Sequence, residues 1–208
     1  MPPKTTLADL ALVSAATRDE WRQWLLENHE TAPGIWLVYH KKGSGQPSIS
    51  WAEAVEEALC FGWIDSKAVS LDAHRYKQVF TPRKPRSVWS KINKATLERL
   101  QAAGQMMPAG LRAVEVARQN GSWSAIDSAE NHEVPADLAA ALAADETAAR
   151  NFAALSPSRR KMYLQGLLAV KRPETRARRI AAIVEEARQT PPRARKAGGA
   201  GGEASAGE

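Results

Sequence analysis

The chain has a single cysteine, Cys60, in 208 residues, so no intrachain disulfide can form. That suits a reducing compartment. No window approaches the roughly 20 consecutive apolar residues that a transmembrane helix needs. The N-terminal stretch, with one lysine and no long apolar run, reads as neither a secretory signal nor an anchor, and a cytoplasmic location is expected. The four histidines, His29, His40, His74 and His132, are scattered. With no HExxH and no CxxC there is no zinc signature, and neither a metal nor a cofactor is expected. Gly43 and Gly45 lack the lysine–serine ending and the strand–helix context of a phosphate loop. One further absence is local: residues 73–97 contain no Asp or Glu but seven Lys or Arg.

What is present is enough for a globular core. The chain is 44% hydrophobic and 25% charged, with a net charge of +6. Its length suits one domain with a helical appendage. The positive charge is unevenly placed. Residues 1–72 carry six basic against ten acidic side chains, residues 98–149 three against eight, and residues 150–196 thirteen against three. A basic balance of this kind invites anionic partners, nucleic acid among them, and equally describes an ordinary soluble surface.

Hydrophobic period and turn chemistry predict the elements. Thr17 and Glu20 form a capping-box pattern opening a helix with Trp21, Trp24 and Leu25 on one face. Residues 35–39, IWLVY, read as a strand buried on both faces. Ser50 and Glu53 form a second capping box, with Trp51, Val55 and Leu59 inward, Glu53, Glu56 and Glu57 outward, and Gly62 at the C′ position. Residues 63–71 and 75–81 read as a hairpin around residues 72–74. The two prolines of residues 82–86 exclude regular structure there. Ser87 is the expected N-cap of a helix carrying Trp89, Ile92, Leu97 and Leu100, and another helix starts near Pro108. From Pro135 onward the composition shifts to Ala, Leu and Arg. Three helices are expected, over 136–153, 157–170 and 173–189, with Phe152, Leu155, Met162, Tyr163, Leu167, Ile180 and Ile183 inward. The fold class expected is α+β: a small, mainly antiparallel sheet with packed helices over residues 1–134, then a C-terminal helical region over 135–189. Residues 190–208, rich in Gly and Ala, read as a disordered tail.

The chemistry concentrates in residues 60–93, CFGWIDSKAVSLDAHRYKQVFTPRKPRSVWSKIN. A helix start offers free N–H groups and partial positive charge to an anion. Arg83, Lys84 and Arg86 precede the expected start at Ser87, with Ser90 and Asn93 within reach. Guanidinium groups grip phosphate or carboxylate in a bidentate fork. The alternative is a plain cap beside solvated loop charge. Trp63 and Asp65 either orient a ligand or form core and turn. Cys60, at a helix end beside Phe61, reads as a buried structural thiol. The arginines at 172, 176, 178 and 179 are either an anion patch or a solvated helix face, with Glu174 and Arg178 at pairing distance.

The runs WLLENHETAPGIWLVYHKK, ALCFGWIDS, FTPRKPRSVWSKIN and PADLAAAL…NFAALSPSRRKMYLQGLLAVKRPETRARRI resemble the YdeI/OmpD-associated family of bacteriocin-protection proteins, over residues 15–189. That resemblance implies a role in tolerance of bacteriocins or cationic antimicrobial peptides and an association with an outer-membrane porin. It implies no catalytic residue and no cofactor. The absence of an export signal argues against direct porin contact. The leading expectation is a non-enzymatic tolerance factor binding an anionic ligand through Trp63, Asp65, Arg83, Arg86, Ser87, Trp89, Ser90 and Asn93. The alternatives are a nucleic-acid-binding protein using residues 75–94 and the C-terminal arginines, and an enzyme acting on a small phosphorylated substrate.

Overall fold

The computed structural model describes residues 6–190. The expectation of a disordered tail over residues 190–208 lies outside them except for Thr190. The chain forms two compact units, divided between Asp127 and Ser128. No helix among the described residues is long and apolar enough to cross a membrane.

The N-terminal unit is built on a four-stranded sheet. Its strands are β1 (Ala11–Ser14), β2 (Ile35–His40), β3 (Trp63–Ser70) and β4 (Arg75–Pro82), in the order β1-β2-β4-β3. β2 pairs with β4 and β4 with β3 antiparallel, while β1 runs parallel to β2. The sheet is therefore mixed. The apolar run of β2 is buried along its length except at His40. Ile35, Leu37 and Tyr39 join the main core, and on the opposite face the Trp36 indole donates to the Leu7 carbonyl (2.7 Å) under the Lys77 ammonium. At the hairpin, the Asp72 carboxylate accepts from the backbone N–H groups of His74 (2.8 Å) and Arg75 (2.7 Å), which is why the short connection over residues 71–74 suffices to turn the chain.

Four helices complete this unit: α1 (Arg18–Asn28), α2 (Trp51–Cys60), α3 (Lys91–Ala102) and α4 (Pro108–Gln119). Thr17 caps α1, but Glu20 reaches back to the Ala16 N–H rather than to the cap residue. Ser50 and Glu53 form the full reciprocal box on α2. Trp21 and Leu25 of α1, Leu59 of α2, Trp63 and Phe80 of the sheet, and Leu97 and Leu100 of α3 make one core. Two of its buried indoles are satisfied by backbone: Trp21 donates to the Ala54 carbonyl (3.1 Å) and Trp63 to the His29 carbonyl (3.2 Å). Gly110 lets α4 close on the end of α2, since a Cβ there would lie 2.2 Å from the Cys60 carbonyl oxygen.

Several sequence expectations are corrected in this unit. Trp51 is 52% exposed and Ile92 71% exposed, so neither faces the core. Glu57 is buried rather than outward; its carboxylate accepts from Arg18 Nε (2.5 Å) and Arg22 Nη1 (2.6 Å). An inward carboxylate on an amphipathic helix is tolerable because two guanidinium groups neutralise it. α3 starts at Lys91 with Ser90, not Ser87, as its cap, and Pro82 remains in β4 because it closes the edge of the ladder opposite Trp63.

The C-terminal unit is helical. α5 (Asp127–Glu130) begins at the division between the units, followed by α6 (Ala136–Ala143), α7 (Glu146–Ala153), α8 (Pro157–Leu168) and α9 (Pro173–Gln189). The single helix expected over 136–153 is two, because the Asp145 side chain accepts from the Ala148 N–H (2.9 Å) and starts a new helix. Leu138, Phe152, Leu164, Leu167 and Ile183 form the core; Met162 is exposed instead of inward. The buried Asn151 donates to the Ala187 carbonyl (2.9 Å) and ties α7 to the last turn of α9.

Candidate functional site

β4 ends at Pro82, and the chain leaves the sheet at Arg83, whose backbone N–H donates to the Gly62 carbonyl (2.9 Å). A turn follows, closed by the Ser87 N–H on the Lys84 carbonyl (2.9 Å). Its tip is pinned from the end of α4: the Pro85 carbonyl accepts from Asn120 Nδ2 (2.7 Å) and Ser122 Oγ (3.1 Å). The chain then passes through the buried Trp89 to the cap at Ser90. A proline-stiffened turn held at both ends positions its cations without much residual freedom.

The Arg83 guanidinium lies over the Trp89 ring, with Cζ 3.8 Å from the centroid. Its Nη1 donates to the Val88 carbonyl (3.1 Å). Its Nε and Nη2 are buried and have no hydrogen-bond partner, and no carboxylate pairs with it among the described residues. Burial pulls its pKa down to about 10, against the opposing pull of the Asp65 charge. It therefore stays protonated at neutral pH. Stacking on an indole is worth about 0.5–2 kcal/mol, while each unpaired buried donor costs about 1–3 kcal/mol. The stack does not offset two such donors, so the guanidinium is an unsatisfied cation. Trp123 packs against Trp89 at 5.2 Å, tilted by 47°, and itself lies under Lys94 and Arg118.

Arg83 and Trp89 line a pocket of about 340 Å³. Lys84 and Arg112 add two more cations, and Gly62, Pro85, Ala109, Ala113 and Val116 make the remainder apolar. No carboxylate lines it. Arg112 lies 3.6 Å from Glu30 in a loose, exposed pair. Gly62 is required twice: its φ is +73°, and a Cβ there would meet the Ala109 carbonyl at 3.0 Å.

Of the residues singled out in the sequence, the structure brings Arg83 and Trp89 together here. Trp63 is a core residue. Asp65 accepts from Gln78 Nε2 (2.7 Å) and Trp51 Nε1 (3.4 Å) and does not line the pocket. Arg86 is exposed outside it, and Ser87 closes the turn through its backbone. Ser90 Oγ accepts from the Asn93 N–H (3.2 Å), so both belong to the start of α3. The sequence reading missed Arg112 and the small apolar wall of α4. Residues 109, 112, 113 and 116 do share one helical stripe, but that spacing equally describes a core face. Cys60 is buried, and burial together with the Glu57 charge pushes its thiol pKa up, as a structural cysteine requires. In the C-terminal unit a second pocket of about 280 Å³ contains Arg176. That guanidinium is already paired with Asp137 and donates to the Leu167 carbonyl (2.9 Å).

Fold and site together define the class: an α+β unit with a cationic, carboxylate-free pocket, followed by a small helical unit. Residues 131–190 match the family model described as "Bacteriocin-protection, YdeI or OmpD-Associated". Residues 13–113 match a separate model, a domain of unknown function (DUF8412). The motifs ALCFGWIDS and FTPRKPRSVWSKIN fall in this second match, so the family model covers the helical end of the 15–189 resemblance rather than the whole of it. Neither the curated proteins nor the solved structures contain a significant match to the chain.

Proposed function

We propose that the N-terminal unit binds a small anionic ligand, carboxylate or phosphate, in the pocket at Arg83, and that the protein serves bacteriocin or antimicrobial-peptide tolerance through binding rather than catalysis. The observation that carries the binding is the half-buried Arg83 guanidinium, charged and holding two buried nitrogens without an acceptor. An anion entering beside Lys84 and Arg112 supplies the missing acceptor and charge, in the bidentate geometry that arginine favours. The tolerance role is supported by the description of the family whose model matches residues 131–190.

Nucleic acid is the weaker reading. Of the basic side chains in residues 75–94, Arg75 pairs with Asp72, Lys94 pairs with Asp127, Lys77 lies over Trp36 and Arg83 lies over Trp89. Lys84, Arg86 and Lys91 alone remain without an ion-pair or ring partner among the described residues, which is few for a phosphate-tracking stripe. The test is thermal denaturation of the full chain with inorganic phosphate. Wild type is stabilised in proportion to log phosphate, and Arg83→Met is not. Equal stabilisation of both sinks the assignment.

A further inference from the structure

We propose that the ligand of this pocket is an amphipathic anion, an acid or phosphate monoester carrying an aliphatic body; this rests on the anion reading above. Two observations carry it. First, the charged part of the lining is confined to Arg83, Lys84 and Arg112, while Pro85, Ala109, Ala113 and Val116 present hydrocarbon to the same space. Val116 is 39% exposed on a helix surface, where a polar residue would serve a purely ionic site better. A bare inorganic anion would fill only the cationic end of about 340 Å³ and leave that wall wet. Second, the aromatic ring in the lining, Trp89, is already covered by the Arg83 guanidinium, and Trp123 packs against it at 5.2 Å, tilted by 47°. An aromatic ligand would have to displace Arg83 to stack there, and the remaining wall is aliphatic and suits alkyl groups.

Calorimetric titration of the full chain with inorganic, methyl, butyl, hexyl and phenyl phosphate tests this. Each buried methylene should tighten binding by up to about fourfold until the tail leaves the pocket. Hexyl phosphate is expected to bind more tightly than phenyl phosphate. Val116→Phe, which fills the apolar side from a half-exposed helix position, should erase the alkyl gain, so that butyl and hexyl phosphate bind this variant no more tightly than inorganic phosphate binds it; Ala113→Leu gives the same readout from one turn earlier. Inorganic phosphate binding with no gain from the alkyl tail, or with phenyl phosphate binding best, overturns this inference and leaves the anion reading standing. No binding of any of these probes removes both. The same chemistry occurs on a free ester and on a lipid headgroup. Co-sedimentation with phosphatidylcholine vesicles containing phosphatidic acid separates them: pelleting that Val116→Phe abolishes assigns the lipid, and absence of pelleting assigns the free ester.

Discussion

Arg83 stacks on Trp89 with Cζ 3.8 Å from the ring centroid, yet two of its three guanidinium nitrogens are buried without a partner. An aliphatic side chain of similar reach would pack on the same indole without that penalty. The position is therefore one where stability is given up for a retained charge.

It follows that Arg83→Met should be as stable as wild type, or more stable by about 1 kcal/mol, in anion-free buffer. Urea unfolding measures this. A loss of more than about 2 kcal/mol would mean that the guanidinium is a structural anchor rather than an unsatisfied cation.

The stability difference between these two proteins should also depend on pH. The folded pKa of Arg83, about 10, lies well below the ordinary guanidinium range, so the unfolded chain holds that proton more tightly. The penalty is fully present below the folded pKa and is relieved as pH rises above about 10. The advantage of Arg83→Met should be constant at neutral pH and shrink above about 10. An unfolding series on both proteins across that range checks the sign; a widening gap would contradict it.

Much of the frame was legible in the sequence, and particular residues show why the rest was not. Ser50 with Glu53, Gly62 and the apolar run of β2 are local signals, and each lies where that chemistry placed it. Ser87 and Ser90 are both competent caps, and choosing between them depends on Trp89 entering the core before α3 begins. Trp51 and Ile92 sit at apolar positions but face outward, because burial depends on what packs opposite and not on residue type. Arg83 was legible as a cation in a stiff turn. Arg112, Ala113 and Val116 were not, since only the close approach of α4 to Gly62 brings them to it.

Glu57 offers a test of the core. It is 1% exposed and receives both Arg18 and Arg22. Glu57→Ala leaves two cations facing a cavity and should cost about 3 kcal/mol, the lower end for a broken buried pair, because the arginine side chains keep 30% and 28% exposure. Urea unfolding gives the value, and a cost under about 1 kcal/mol would show the network to be a surface one.

In the C-terminal unit, Asn151→Ala removes the donor that reaches the Ala187 carbonyl at the end of α9. The expected loss is about 1–2 kcal/mol, confined to this unit. Hydrogen exchange should show lower protection in α7 and α9 and none in the sheet of the N-terminal unit. Unchanged protection in α9 would mean that its last turn is held by other contacts.

The most direct measurement is isothermal titration of inorganic phosphate into wild type and Arg83→Met at neutral pH and fixed ionic strength. Saturable binding of one phosphate per chain is expected for wild type, with none for the variant. Equal binding by the two proteins, or none by either, would contradict an anion site at Arg83.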